Sequence, residues 1–295
     1  MQFLNKLLSR RSQTFQASTT TTPPKTTLTS HLLASAPEEY KSVTQSPFLL
    51  AAAEGRLSKD VLGKWLADER LYFHSYIRAA GRLLASIELP SQVGEETAEM
   101  KLVDWVVENL ARIRASEKML LDVAGRYGIE IVDERRPVGP VEPPDGGVAV
   151  SISGRRGMDE RFETDEGDTE VSATSHPTSP TILPWLEAAV MFWGTERCYL
   201  DAWSWAKAHQ PVRGSDDNDT DDDADGGALR REFIPSWSSD GFREFVGRLE
   251  GIIDEAVDKE VENGGAKIRE QVLRRVEGKW KSLVVAEGGF WPVVD

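Results

Sequence analysis

Apolar residues in this chain recur three and four apart over long stretches, the period of helices that bury one face. Ser58 precedes KDVLGKWLADERLYFHSYIRAAGRLLASI, in which Val61, Leu62, Trp65, Leu66, Tyr72, Phe73, Tyr76 and Ile77 form an apolar stripe. A serine at that point caps the free amides of a first turn, and Pro90 stops the helix shortly after Ile87. A second helix is predicted from about Glu95 to Arg126, striped by Leu102, Trp105, Val106, Leu110, Ile113 and residues 119–121, with Gly128 just past its end. A third begins near Thr181 or Pro184 and runs through WLEAAVMFWGTERCYLDAWSWAKAH to Pro211. It is apolar nearly all round, so it is predicted to lie centrally. A fourth starts at the Ser238, Ser239, Asp240 cap and buries Phe242, Phe245, Val246, Leu249, Ile252 and Ile253. A fifth covers roughly 267–287, and the segment from Leu28 to Glu54 adds one or two shorter helices split near Pro47. Strand signals are scarce, so the predicted fold class is all-α, a helical bundle.

Three stretches lack this period. Residues 1–27 form a predicted disordered or targeting tail, with TTTTPPKTT as low-complexity linker. Insertions at about 134–180 and 213–228 are rich in Gly, Pro, Ser, Thr and acids, and cannot bury enough surface to offset their ordering entropy. Both are predicted as disordered acidic surface loops. The aspartate run in the second lacks the spacing of a calcium-binding loop. Residues 28–295 then make one helical domain interrupted twice.

Charge narrows the functions. There are 49 Asp and Glu against 35 Lys and Arg, a net charge of -14. No cationic excess exists to displace phosphate counterions, so nucleic acid is not expected as the main partner. One cysteine excludes an internal disulfide and a CxxC zinc site. With four scattered histidines, no metal site and no cofactor are expected. No apolar run is long enough to span a membrane. The cytoplasm is the default location. The mitochondrion is the alternative, because the first 37 residues contain no acid and carry Lys6, Arg10, Arg11 and Lys25.

Polar groups on core-facing stripes carry the candidate chemistry. Asp68, Tyr72 and Tyr76 are spaced by four on the helix that bears Trp65. Glu196 shares a face with Phe192, Tyr199 and Leu200 on the central helix, where an unpaired carboxylate tends to keep its proton. Glu287 is the charged group of the apolar closing segment VVAEGGFWPVV. Each has a plain structural alternative: pairing of Asp68 with Arg70, an internal salt bridge for Glu196, a surface helix end for Glu287. Cys198 has no histidine close in sequence to activate it and reads as packing.

TQSPFLLAAAEGRLSKDVLGKWLADERLYFHSYIRAAGRLL resembles the N-terminal signature of the TenA family, within the haem-oxygenase-like superfamily. FWGTERCYLDAW resembles the central helix of that family, and VVAEGGFWPVV its closing glutamate–aromatic motif. The likeness is nearest to a fungal, loop-expanded branch and covers about Leu28 to Val294 apart from the insertions. It implies about seven or eight helices around a pocket, and action on thiamin breakdown products through hydrolysis of the exocyclic amine of an aminopyrimidine. It further implies that Asp68 binds the pyrimidine, that Tyr72 and Tyr76 lie at or beside an aromatic pocket position, that Tyr199 and Glu196 are the central-helix pair, and that Glu287 is catalytic. The chain departs from the family pattern twice. Thr195 stands where cysteine-dependent members carry their nucleophile, and Ser46, Pro47, Phe48 replace a histidine–proline–phenylalanine.

Three readings follow. The first is a hydrolase in which Glu287, supported by Glu196, activates water, while Asp68, Tyr72, Tyr76, Tyr199 and Thr195 hold a pyrimidine or thiamin derivative. The second is a non-catalytic binding or interaction protein on the same bundle. The third is a redox protein of the wider superfamily, with His31 as the available axial haem ligand; the ExxH pairs of a di-iron site are missing. Monomer and homo-oligomer both stay open.

Overall fold

A computed structural model describes residues 26–91, 96–131, 181–211, 220 and 222–294. The N-terminal tail to residue 25, the insertion expected at 134–180 and most of the aspartate run lie outside the described residues. Among the described residues the chain is helical and contains no strand. The elements are α1 (Leu28–Ser35), α2 (Pro37–Thr44), α3 (Pro47–Ala53), α4 (Lys59–Ser86), α5 (Ala98–Tyr127), α6 (Leu186–Ala208), a π-helical turn (Leu229–Phe233), α7 (Ile234–Trp237) and α8 (Asp240–Gly288).

The boundaries follow local chemistry. Ser58 Oγ accepts from Val61 N, and Ser239 Oγ from Phe242 N, so both predicted caps form. Thr97 caps α5, which ends at Gly128 in the left-handed region with φ 64°. The N-terminal segment makes three helices rather than one or two, because Pro37 and Pro47 each open a new helix. Proline has no amide to lose there and its φ is already helical.

α6 is central and packs most extensively against α8. Their close approach depends on Gly194, where a Cβ would overlap the Leu283 side chain and press on the Trp280 ring. The 49 residues of α8 would reach about 74 Å if straight. They do not, because Gly265 takes φ 69° and ψ −156° and reverses the chain. Thr29 Oγ1 donates to Asp254 on the first arm at 2.6 Å, while His31 Nε2 meets Glu277 on the second at 2.8 Å. The predicted fourth and fifth helices are thus two arms of a hairpin.

One expectation fails. The end of the aspartate run is packed, not a solvated loop. Asp223 and Arg230 form a buried ion pair, with Arg230 Nε 2.7 Å from Oδ2 and a second contact from Nη2 to Oδ1. Asp225 accepts the amides of Gly227 and Leu229, both at 2.8 Å, and so starts the π-helical turn. The segment is clipped to the α3–α4 turn by Ala224 N, which donates to Gly55 O at 2.9 Å. Gly55 has φ 71°, and a Cβ there would overlap the Asp223 carboxylate.

Candidate functional site

α4, α5, α6 and the start of α8 enclose a cavity of about 170 Å³. A cavity of roughly 150 Å³ holds a benzene ring, so this one suits a single small aromatic ring. Glu69, Tyr72 and Phe73 line it from α4, Asn109, Arg112, Ile113 and Ser116 from α5, and Thr195, Glu196 and Tyr199 from α6. Ser236, Trp237, Ser239, Phe242 and Phe245 close the remaining side.

On α6 the cavity-facing residues are held by their neighbours. Tyr199 donates its hydroxyl to Glu69 Oε2 at 2.6 Å, wholly buried. Its ring lies within 8° of parallel to that of Tyr72, with centroids 6.1 Å apart. Thr195 Oγ1 reaches Glu287 Oε1 at 3.4 Å. Glu287 is buried, and the segment that follows it is anchored by Trp291 Nε1, which donates to Val43 O at 2.8 Å. Phe290 packs against both Tyr72 and Tyr199.

Glu196 has the most informative surroundings. Asn109 Nδ2 donates to its Oε1 at 3.3 Å and also contacts the Tyr76 hydroxyl, which itself hydrogen-bonds Glu196. Burial, joined by the negative charge of Glu287, pushes the Glu196 carboxyl up to about 7. The hydrogen bonds from Tyr76 and Asn109 and the charge of Arg112 oppose that rise. The Tyr199 hydroxyl is pushed well above its ordinary range by burial and by the charges of Glu69 and Glu287. It therefore acts as a proton-bearing donor at any physiological pH.

The structure brings Tyr72, Thr195, Glu196 and Tyr199 to the cavity wall, Tyr76 directly behind Glu196, and Glu287 behind Thr195. Asp68 is half-buried and lies off the wall; Glu69, the next residue, takes the inward place. Glu69 was legible: it precedes Tyr72, Phe73 and Tyr76 by three, four and seven, a tighter helical face than Asp68 makes. Asn109 was legible too, midway between Trp105 and Ile113 on an apolar stripe. The place of Arg112 was not, since a partly exposed arginine on a helix carries no such signal.

The other candidates fall elsewhere. Cys198 is buried away from the cavity lining. His31 pairs with Glu277 and does not line the cavity. Among the described residues no group of three or more His, Cys, Asp or Glu could hold a metal ion. None of their helices is long and apolar enough to cross a membrane.

A cavity with two buried carboxylates in its wall and a third behind it, one with proton affinity near neutrality, can exchange protons with a bound ring and with water. Solved structures with this arrangement of helices include a TenA homologue from Pyrococcus furiosus, 19% identical, with a TM-score of 0.57 over 89% of this chain and 97% of that one. A TenA family transcription regulator from Silicibacter sp. TM1040 is 14% identical, with a TM-score of 0.57 over 89% and 94%. The fold is thus the helical, haem-oxygenase-like one of the TenA proteins. A probable transcription factor from Fusarium pseudograminearum is 22% identical over 288 residues, which cover 88% of this chain and 52% of that protein. The chain spans about half the length of this curated relative. No family model matches the sequence.

Proposed function

We propose that this protein hydrolyses a small aminopyrimidine, replacing an exocyclic amine with water, and does so with carboxylates in place of a cysteine nucleophile. The observation that carries this reading is the gathering of Glu69, Glu196 and Glu287 around one small aromatic-walled cavity. In the proposed arrangement Glu69, held by Tyr199, accepts N–H groups of the ring. This role passes to Glu69 from Asp68, to which the family resemblance points, because Glu69 lines the cavity. Glu287 takes a proton from the attacking water through the Thr195 position. Glu196, half-protonated near pH 7, delivers a proton to the departing amine. The ring gains a hydroxyl and ammonia leaves. Positioned acid–base help of this kind contributes about 10²–10⁴-fold. Thr195 supplies no thiolate, so no sulfur adduct forms.

The test is ammonia release from an aminopyrimidine by the parent, Glu287→Gln, Glu196→Gln and Cys198→Ser. Glu287→Gln should bind the ring and release nothing, because glutamine keeps the shape but takes up no proton at neutral pH. Cys198→Ser should keep most activity. Loss of turnover on Cys198→Ser alone overturns the carboxylate mechanism.

A second reading is a sensor that binds the ring without turnover. Two of the relatives carry regulator names, and Thr195 replaces the family nucleophile. Saturable pyrimidine binding without ammonia release selects it.

A further inference from the structure

The cavity wall is not uniformly acidic. The carboxylates of Glu69 and Glu196 line it and Glu287 lies behind, all three buried, whereas Arg112 also lines it with about 40% of its side chain exposed. Arg112 therefore stands at the mouth, where the cavity meets solvent.

Its guanidinium is held in place without being used up. Nε donates to Glu108 Oε1 at 2.9 Å, and the group lies over the Phe245 ring, 4.5 Å from its centroid. Among the described residues the two terminal nitrogens of Arg112 make no hydrogen bond. Glu108 does not neutralise this charge alone, because it also accepts from Arg248 Nη2 at 2.6 Å. Arg248 flanks the same Phe245 ring at 5.7 Å. Two guanidinium groups thus share the Glu108 carboxylate beside the mouth.

Hydroxyls stand with it. Ser116, four residues on from Arg112 along α5, and Ser236 both line the cavity. Among the described residues neither side-chain hydroxyl has a partner. Ser239, by contrast, is occupied: its Oγ donates to Ser236 O at 2.8 Å and caps Phe242 N. A fixed guanidinium with unengaged terminal nitrogens, beside two idle hydroxyls, is a ready receptor for an oxyanion. The protein carries a net charge of -14, so it has no general attraction for anions that would make such a receptor incidental.

We infer that the ligand of this cavity carries an oxyanion, a phosphate ester or a carboxylate, on the arm that leaves the ring toward solvent, and that Arg112 with Ser116 and Ser236 binds it. This deepens the proposed function and rests on it for the ring. The carboxylates would select the nitrogenous ring, and the arginine would select for a charged arm over a neutral one. Arg112 is then a specificity-determining residue, not a catalytic one.

The experiment compares three probes by titration calorimetry: a hydroxymethyl aminopyrimidine, its phosphate ester and its carboxymethyl analogue. A charge-assisted pair of hydrogen bonds predicts that one or both anionic probes bind the parent roughly 10- to 100-fold tighter than the alcohol. The tighter of the two anions identifies the group. Arg112→Met keeps an apolar stem over Phe245 and should bring all three probes to within about 2-fold of one another. Arg112→Lys should retain part of the preference, as a point charge without the planar fork. Ser116→Ala gives a milder variant that keeps the guanidinium, with an intermediate loss expected. Equal affinity of alcohol and anions in the parent overturns the inference and leaves the pyrimidine reading standing. A preference that survives Arg112→Met also overturns it. Inorganic phosphate alone separates the two ideas: stabilisation of the parent by phosphate that Arg112→Met removes supports the oxyanion receptor, and if none of the three pyrimidine probes binds, that same result ends the pyrimidine reading. No response to any probe overturns both.

Discussion

Replacing Glu196 by glutamine tests the electrostatics of the cavity without needing to know its ligand. An exposed glutamate titrates near 4.5, and Glu196 in the folded protein near 7. The folded state therefore binds more protons than the unfolded state between those values. Stability contributed by this group is fully present below the lower value and falls as pH rises through the higher one. At roughly 1.36 kcal/mol per pH unit, the parent should lose about 2–3 kcal/mol from this source between pH 5 and pH 8. Glutamine keeps an oxygen for the Asn109 amide and for the Tyr76 hydroxyl, and it does not ionise. Glu196→Gln should thus be close to the parent in stability at pH 5 and more stable by about 2–3 kcal/mol at pH 8. In a domain of about 200 residues that is roughly 5–10 °C in Tm. Urea unfolding of both proteins at half-unit steps from pH 5 to pH 8.5 reads the difference directly. Parallel curves would refute the reasoning, because they would mean that Glu196 ionises as easily in the folded chain as in water. A variant more stable at pH 5 than at pH 8, relative to the parent, would reverse the sign and implicate a cation at the site.

Other perturbations address separate parts of the argument. Gly194→Ala should destabilise by about 1–3 kcal/mol, because the new methyl meets Leu283 and Trp280 where α6 and α8 pack; thermal melts would read it, and an unchanged Tm would mean the helices separate freely. Asp223→Asn should cost about 3–5 kcal/mol by removing the charged partner of the buried Arg230 guanidinium, which a urea titration resolves. Deleting residues 214–219 should by contrast leave cooperative unfolding intact, whereas a deletion extended to 227 should not, since it removes the contacts made by Asp223 and Asp225. Tyr199→Phe should weaken ring binding by about 10-fold, because Glu69 Oε2 loses a buried donor; calorimetry with an aminopyrimidine would show this.

Much of the fold was legible because helices announce themselves locally. Ser58 and Ser239 cap where a serine before an apolar stripe should, and α6 is central because its sequence is apolar nearly all round. On α4 the inward acid was legible to within one position. Asp68 and Glu69 are both acids on an aromatic helix, and only the exact phase separates the half-buried one from the buried one. Asn109 carries no charge to mark it on its apolar stripe, although a buried amide needs partners for the same reason a carboxylate does. The packed end of the aspartate run was illegible on composition. Its burial depends on Arg230 and Gly55, one next to it in sequence and the other far away, and no local pattern links an acidic run to either. The joining of the last two helices through Gly265 was likewise hidden, since two adjacent glycines signal a break without saying which way the chain turns.

The reversal at Gly265 makes the second arm of α8 a separable part. That arm, from Ala266 onward, buries Val272, Val276, Trp280, Leu283 and Val284 in the bundle and brings Glu287 with it, while its connection to the rest passes through an exposed tip. A chain cut at that tip keeps every residue of the cavity lining in the larger fragment and moves Glu287 into the smaller one. Mixing the two fragments should rebuild the bundle, and supplying the smaller one as a synthetic peptide allows Glu287 to be exchanged for unnatural acids of graded acidity. Under the proposed hydrolysis, the rate of ammonia release should then follow the acidity of a single atom group, with the remainder of the protein held constant.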